Sequence, residues 1–146
     1  MVDVTTAITL NCSREKVAAY VSEPDNAPKW YVNIKSATWE TPKPLRVGSK
    51  ITFTAQFLGK TLTYTYAIME FIPGEKLVMS TAEGPFPMET TYSWESVNEN
   101  TTRMSLRNRG YPSGFSKFLS LFISMAMRRA NTNDLKQLKY ILEHQQ

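Results

Sequence analysis

The sequence is short of the residues that most enzymatic and metal chemistry needs. One cysteine, Cys12, and one histidine, His144, occur in 146 residues. A single thiol excludes an internal disulfide and any multi-cysteine metal site, and it fits a reducing compartment. The only histidine stands two residues from the end of the sequence, a poor place for a Ser-His-Asp triad, a Cys-His pair or a histidine metal centre. The six glycines stand singly, so no glycine-rich phosphate loop is formed. No apolar run approaches the ~18 residues of a membrane span, and Met1 to Thr6 lacks the charged-then-apolar pattern of a secretory leader. No internal repeat or low-complexity tract divides the chain. The expectation is one cytoplasmic domain over residues 1–146, with neither cofactor nor metal.

What is present is a globular composition, 42% hydrophobic and 21% charged, which is enough apolar material to fold without staples. The net charge of +4 and the pI near 9.2 are modest. Arg103, Arg107 and Arg109 come nearest to a basic cluster, and a solvated strand face accounts for them better than nucleic-acid contact does.

The pattern along the chain predicts an α+β fold. Val2, Val4, Thr6, Ile8 and Leu10 alternate with small or polar residues, as in a half-buried strand. Ser13 is a good helix cap, with Lys16 where a capping box would place Glu, so a short helix should run up to Pro24. One or two further turns fit between Pro24 and Trp30. Strands are expected over Ile34 to Glu40, Lys50 to Phe57, Thr61 to Ile72, Leu77 to Ala82, Met88 to Val97 and Thr101 to Arg109. Turns are expected at Leu58-Gly59-Lys60 and Asn98-Glu99-Asn100, with an irregular Glu83-Gly84-Pro85-Phe86-Pro87. Ile72-Pro73-Gly74-Glu75 has the Pro-Gly order of a type II turn, in which Pro presets φ and Gly accepts φ > 0.

After the breaker cluster Pro112, Ser113 and Gly114 come roughly 28 residues without Pro or Gly, enough for a helix of about 42 Å. Its second half carries Leu135, Leu138, Ile141 and Leu142 at helical spacing. Its first half, from Phe115 through Phe118, Leu119, Leu121, Phe122, Ile123, Met125 and Met127, is apolar on nearly every side. One sheet face does not need that much surface. Core packing accounts for Phe118, Phe122 and Met125, and leaves a patch at Leu121 and Ile123 to be exposed or covered by a second subunit or a membrane surface.

This layout, with Trp30 after the short helices, the Pro73-Gly74 hairpin between Glu70 and Leu77, and Thr102-Arg103-Met104-Ser105-Leu106 ahead of the long helix, resembles the polyketide cyclase/dehydrase-like branch of the START-like (SRPBCC) helix-grip superfamily. The resemblance covers nearly the whole chain and is specific for fold rather than function. It implies a curved antiparallel sheet of about six or seven strands wrapped around the C-terminal helix. It also implies an apolar cavity between them, which relatives use to carry lipids, quinones or hormones, or to cyclise and dehydrate.

Within such a cavity the inward strand positions supply the candidate ligand contacts: Trp30, Phe53, Tyr64, Tyr66, Met79, Tyr92, Trp94, Met104, Leu106 and Asn108, with Phe118, Phe122 and Met125 from the helix. Apolar walls with a few oriented phenols and an amide are the usual make-up of a small-molecule site. Met69 and Met88 add to a methionine-rich lining that a plastic core or an adaptable pocket would both explain. Glu70 and Glu95 are the weak candidates for proton transfer, since each stands near a strand end where a salt-bridged carboxylate is the ordinary finding. Three readings remain: a carrier for a small apolar or aromatic molecule, a cyclase/dehydratase-type enzyme, and a module binding protein or nucleic acid.

Overall fold

Alternation in the sequence becomes a seven-stranded antiparallel sheet in the computed structural model, which describes residues 1–57, 59–81, 87–110 and 117–144. The strands are β1 (Val2–Leu10), β2 (Ile34–Trp39), β3 (Lys50–Phe57), β4 (Lys60–Ile72), β5 (Lys76–Thr81), β6 (Met88–Asn98) and β7 (Thr101–Gly110). Their order across the sheet is β1-β7-β6-β5-β4-β3-β2, so β1 and β2, neighbours in sequence, lie at opposite edges. The connection between them carries α1 (Arg14–Val21), a 3₁₀ turn (Pro24–Asn26) and α2 (Ala27–Trp30). The long helix α3 (Lys117–Glu143) completes the helix-grip arrangement. Pro112, Ser113, Gly114, Phe115, Leu58 and residues 82–86, which figure in the expectations above, lie outside the described residues.

Local chemistry sets several boundaries. Ser13 caps α1 by accepting from the Lys16 amide at 3.4 Å, and Glu23 caps the 3₁₀ turn by accepting from the Asp25 amide at 3.3 Å. The Ile72–Glu75 turn closes with the Glu75 amide donating to the Ile72 carbonyl at 2.9 Å, and Gly74 has φ +81 as a type II turn requires.

One sheet face is wet, with cross-strand polar pairs such as Thr52 with Thr65 at 2.8 Å. Arg107 grips Asp3 through two hydrogen bonds and Arg109 pairs with Glu89 at 2.7 Å, so these two arginines are matched across neighbouring strands. The other face is the core. On it lie Leu10, Ile51, Phe53, Ile68, Leu77, Tyr92, Trp94, Met104 and Leu106, all buried.

The second half of α3 packs on this face through Leu135, Leu138 and Leu142. It also satisfies the free edge of β1. Arg128 and Lys139 donate to the Thr5 and Thr9 carbonyls, at 3.3 and 2.9 Å, and Glu143 accepts from the Asn11 amide at 2.8 Å. Cover of this kind blunts the edge of β1 against pairing with another chain. The first half of α3 behaves differently. Ile123 and Met127 pack against Val2 and Val4, while Leu121 is 59% exposed. Phe118, Phe122 and Met125, expected in the core, are instead exposed, Phe118 by 86%. The reason is geometric: this half of the helix runs past the sheet face, so only the Leu119, Phe122, Ile123 and Met127 side of it meets the rest of the chain.

Candidate functional site

Between the first half of α3, seated on the β1 edge, and the inner face of the sheet lies a cavity of about 560 Å³. Its walls on the sheet side are Ile51 and Phe53 of β3, Leu62, Tyr64 and Tyr66 of β4, Met79 of β5, Met88, Thr90 and Tyr92 of β6, and Asn108 of β7. Trp30 and Tyr31 close it from the α2 side. Along α3 the lining runs from Leu119 to Asp134, about 22 Å of helix. Beyond Asp134 the helix buries Leu135 and Leu138 in the core, so Asp134 stands at the floor.

Ser22, Asn33, Gln56 and Lys60 are polar residues of the lining, and two further groups of polar side chains stand at two places among the apolar walls. The first is a relay across neighbouring strands. Thr90 and Asn108 are opposed in the β6–β7 register, and the Thr90 hydroxyl donates to Asn108 Oδ1 at 2.6 Å. Tyr66 lies close to the same Thr90, and burial pushes its phenol up to about 12 against the opposing pull of that hydroxyl. Burial also raises the Tyr64 phenol.

The second place is the floor. Tyr31 and Tyr92 share a short hydrogen bond between their hydroxyls. Burial first, and then the neighbouring oxygens, hold the Tyr31 phenol well above its ordinary range; burial also raises Tyr92. Both therefore keep their protons at any physiological pH. Trp30 packs against both rings, with centroids at 4.0 Å from Tyr31 and 6.0 Å from Tyr92. Asp134, 4% exposed, accepts from the Val32 amide at 2.9 Å. Burial moves its carboxyl from 3.8 to about 6, against the opposing pull of that Val32 bond. Asn131, one turn earlier on α3, is equally buried, and its amide nitrogen has no hydrogen-bond partner.

Of the residues expected at the site, Trp30, Phe53, Tyr64, Tyr66, Met79, Tyr92, Asn108 and Phe122 come together around the cavity. Trp94, Met104 and Leu106 share the sheet face but sit further along it, in the solid core, and do not line the cavity. Phe118 and Met125 point away from the cavity on the outer side of α3, and Met69 is exposed on the outer surface. Glu70 is also outside it, at a β-bulge, paired with Lys76 at 3.3 Å, and Glu95 is exposed. Many lining residues were not among those expected, and the polar ones that matter most are Tyr31, Thr90, Asn131 and Asp134. For the last two a signal existed, because Asn131 and Asp134 interrupt the inward apolar stripe of α3 at i, i+3 spacing.

Among the described residues no group of His, Cys, Asp and Glu side chains is placed to hold a metal ion, and no helix is long and apolar enough to cross a membrane. Comparison with curated proteins gives no match. Among solved structures, a START superfamily protein from Mycobacterium smegmatis is similar, with a TM-score of 0.83 and 13% identity over 97% of each chain. The Zhui aromatase/cyclase from Streptomyces sp. R1128 has a TM-score of 0.83 at 10% identity, covering 97% of this chain and 93% of that one. The di-domain aromatase/cyclase BexL of the BE-7585A biosynthetic pathway has a TM-score of 0.82 at 18% identity over 98% of this chain. The chain spans 47% of BexL, about half its length. At these identities the likenesses establish the START-like fold alone. The family model described as polyketide cyclase / dehydrase and lipid transport matches residues 1–143, and the chain therefore belongs to that family.

Proposed function

We propose that the chain is a cytoplasmic binding protein that carries a small apolar or aromatic molecule in the cavity between the sheet and α3. The observation that carries this reading is the cavity itself: a space of about 560 Å³ with mostly apolar walls and a minority of polar groups. Apolar burial would supply most of the affinity, at about 25 cal/mol per Å² removed from water. The Tyr66-Thr90-Asn108 relay and the floor would orient the molecule. Leu119 and Phe122, which both line the cavity and are exposed, give an apolar ligand a route in and out.

A second reading is favoured by one observation, the carboxyl of Asp134 poised near 6 beside two protonated phenols. A carboxylate with that value takes and returns a proton readily near neutral pH, and a phenol donates to an oxygen that gains charge. Those are the elements of a cyclisation with loss of water.

Native against denaturing mass spectrometry tests the binding reading. One small molecule per chain, present only in the native spectrum of the purified protein or after addition of 2-naphthol, is the expected result. An adduct in neither case contradicts it. Recovery of the bound molecule chemically unchanged supports the carrier, and recovery with loss of water supports the enzyme.

A further inference from the structure

We propose that Asn131 and Asp134 form a hydroxyl-recognition site at the cavity floor, so that the ligand is a phenol or alcohol on an otherwise apolar body. The proposal rests on the binding reading above and names the functional group that its ligand carries.

Hydrogen-bonding capacity on the floor leads to this assignment. An ionised carboxylate offers four lone-pair positions and prefers several donors when buried. Asp134 has one hydrogen-bond partner among the described residues, the Val32 amide on Oδ1. No lysine or arginine contributes to its environment, which burial and that single amide dominate. The nearby Tyr31 and Tyr92 hydroxyls share one hydrogen bond, and neither bonds to Asp134. One turn away, Asn131 presents a buried amide whose nitrogen has no partner. An unsatisfied buried donor and an under-supplied buried carboxylate each cost stability in a chain with nothing in its cavity.

A single hydroxyl resolves both deficits, because it donates one hydrogen bond and accepts two. Residues three apart on a helix have Cβ atoms about 5–6 Å from each other, a gap one oxygen bridges. The hydroxyl proton goes to Asp134, and the hydroxyl oxygen accepts from Asn131 once the amide turns about χ2, a broad torsion with little cost. A carboxylate in the same place would meet Asp134 with like charge and no cation. The site therefore discriminates against fatty acids entering head first and in favour of hydroxylated rings or alcohols.

The test is calorimetric titration at about pH 7.5, where Asp134 is ionised and naphthols are not, with 2-naphthol and with 2-methoxynaphthalene, which has the same rings but no proton to donate. The wild-type protein should bind 2-naphthol about tenfold more tightly or better, the usual scale of a hydrogen bond to a charged group. Asp134→Asn keeps an acceptor for the Val32 amide and should erase the preference by weakening 2-naphthol alone. Asn131→Ala should weaken 2-naphthol severalfold and leave 2-methoxynaphthalene unchanged, which decides the matter even if Asp134→Asn were poorly folded. Equal affinity of the wild-type protein for the two compounds would overturn the hydroxyl site and leave the cavity reading standing. Binding of neither would overturn both.

Discussion

Replacing Trp94 by alanine is expected to remove about 3–5 kcal/mol of folding stability, the usual cost of deleting a large core aromatic. Trp94 is 4% exposed on β6, stands opposite Met104 in the register with β7, and stacks on Tyr92 with centroids 6.3 Å apart. Its indole nitrogen has no hydrogen-bond partner, so its contribution is packing and apolar burial alone. Trp94→Phe, which retains most of that packing and discards the unpartnered donor, should therefore cost much less, about 1–2 kcal/mol. Urea denaturation of the two variants measures the difference. A loss below about 1 kcal/mol for the alanine variant would mean that this end of the core is not packed as described.

Asp134→Asn should have the opposite sign. Burial raises the folded-state carboxyl from 3.8 to about 6. Between those values the folded chain holds a proton that the unfolded chain has released, so stability falls as pH rises through that window and stays reduced above it. At neutral pH the penalty is on the order of 2–3 kcal/mol, at about 1.4 kcal/mol per pH unit. Asparagine removes the charge and keeps an oxygen for the Val32 amide. The variant should therefore melt above the wild-type protein at pH 7.5 and converge with it below about pH 4. Asp3 and Asp25, whose carboxyls are held low by hydrogen bonds from Arg107 and Lys43, act in the reverse direction in both proteins and cancel in the comparison. A melting difference that does not change with pH would show that the Asp134 charge is not the cause.

The strand pattern was legible because one face of this sheet is wet. Period-two alternation survives in β1, β3, β6 and β7, and the buried positions Val2, Val4, Ile51, Phe53, Tyr92, Trp94, Met104 and Leu106 fall where alternation places them. Most of the wall followed from the same pattern, down to Asn108 sharing the face of Met104 and Leu106. What alternation could not supply was position along the strand. Trp94 and Asn108 share a face, yet one is in the solid core and the other on the cavity wall, because the second half of α3 fills one end of that face while the first half, seated on Val2 and Val4 at the β1 edge, leaves the other end open.

The same divergence misplaced Phe118 and Met125. Apolar character on a helix says that a surface wants cover, and it does not say where the neighbouring element ends. The floor was harder still. Tyr31 lies just after α2, outside any periodic segment, and its pairing with Tyr92 joins residues 61 apart. Asp134 looked like one more polar residue on a long helix until the packing of Leu135 and Leu138 showed which side it occupies. Buried polar groups obey no period, so they become visible only when the surrounding walls are in place.

The most direct test of the binding account is to fill the cavity from within. Ala55 lies on β3, opposite Leu62 in the register with β4, and both side chains line the space. Ala55→Trp should place an indole there and leave the core around Trp94, Leu106 and Leu138 untouched. Titration of the wild-type and Ala55→Trp proteins with Nile red, a neutral dye that brightens in apolar surroundings, is the measurement. The account predicts saturable binding of one dye per wild-type chain, and at least about a hundredfold weaker binding to a variant that melts at or above the wild-type temperature. Equal binding by the two folded proteins would place the dye elsewhere and contradict the cavity as the functional site.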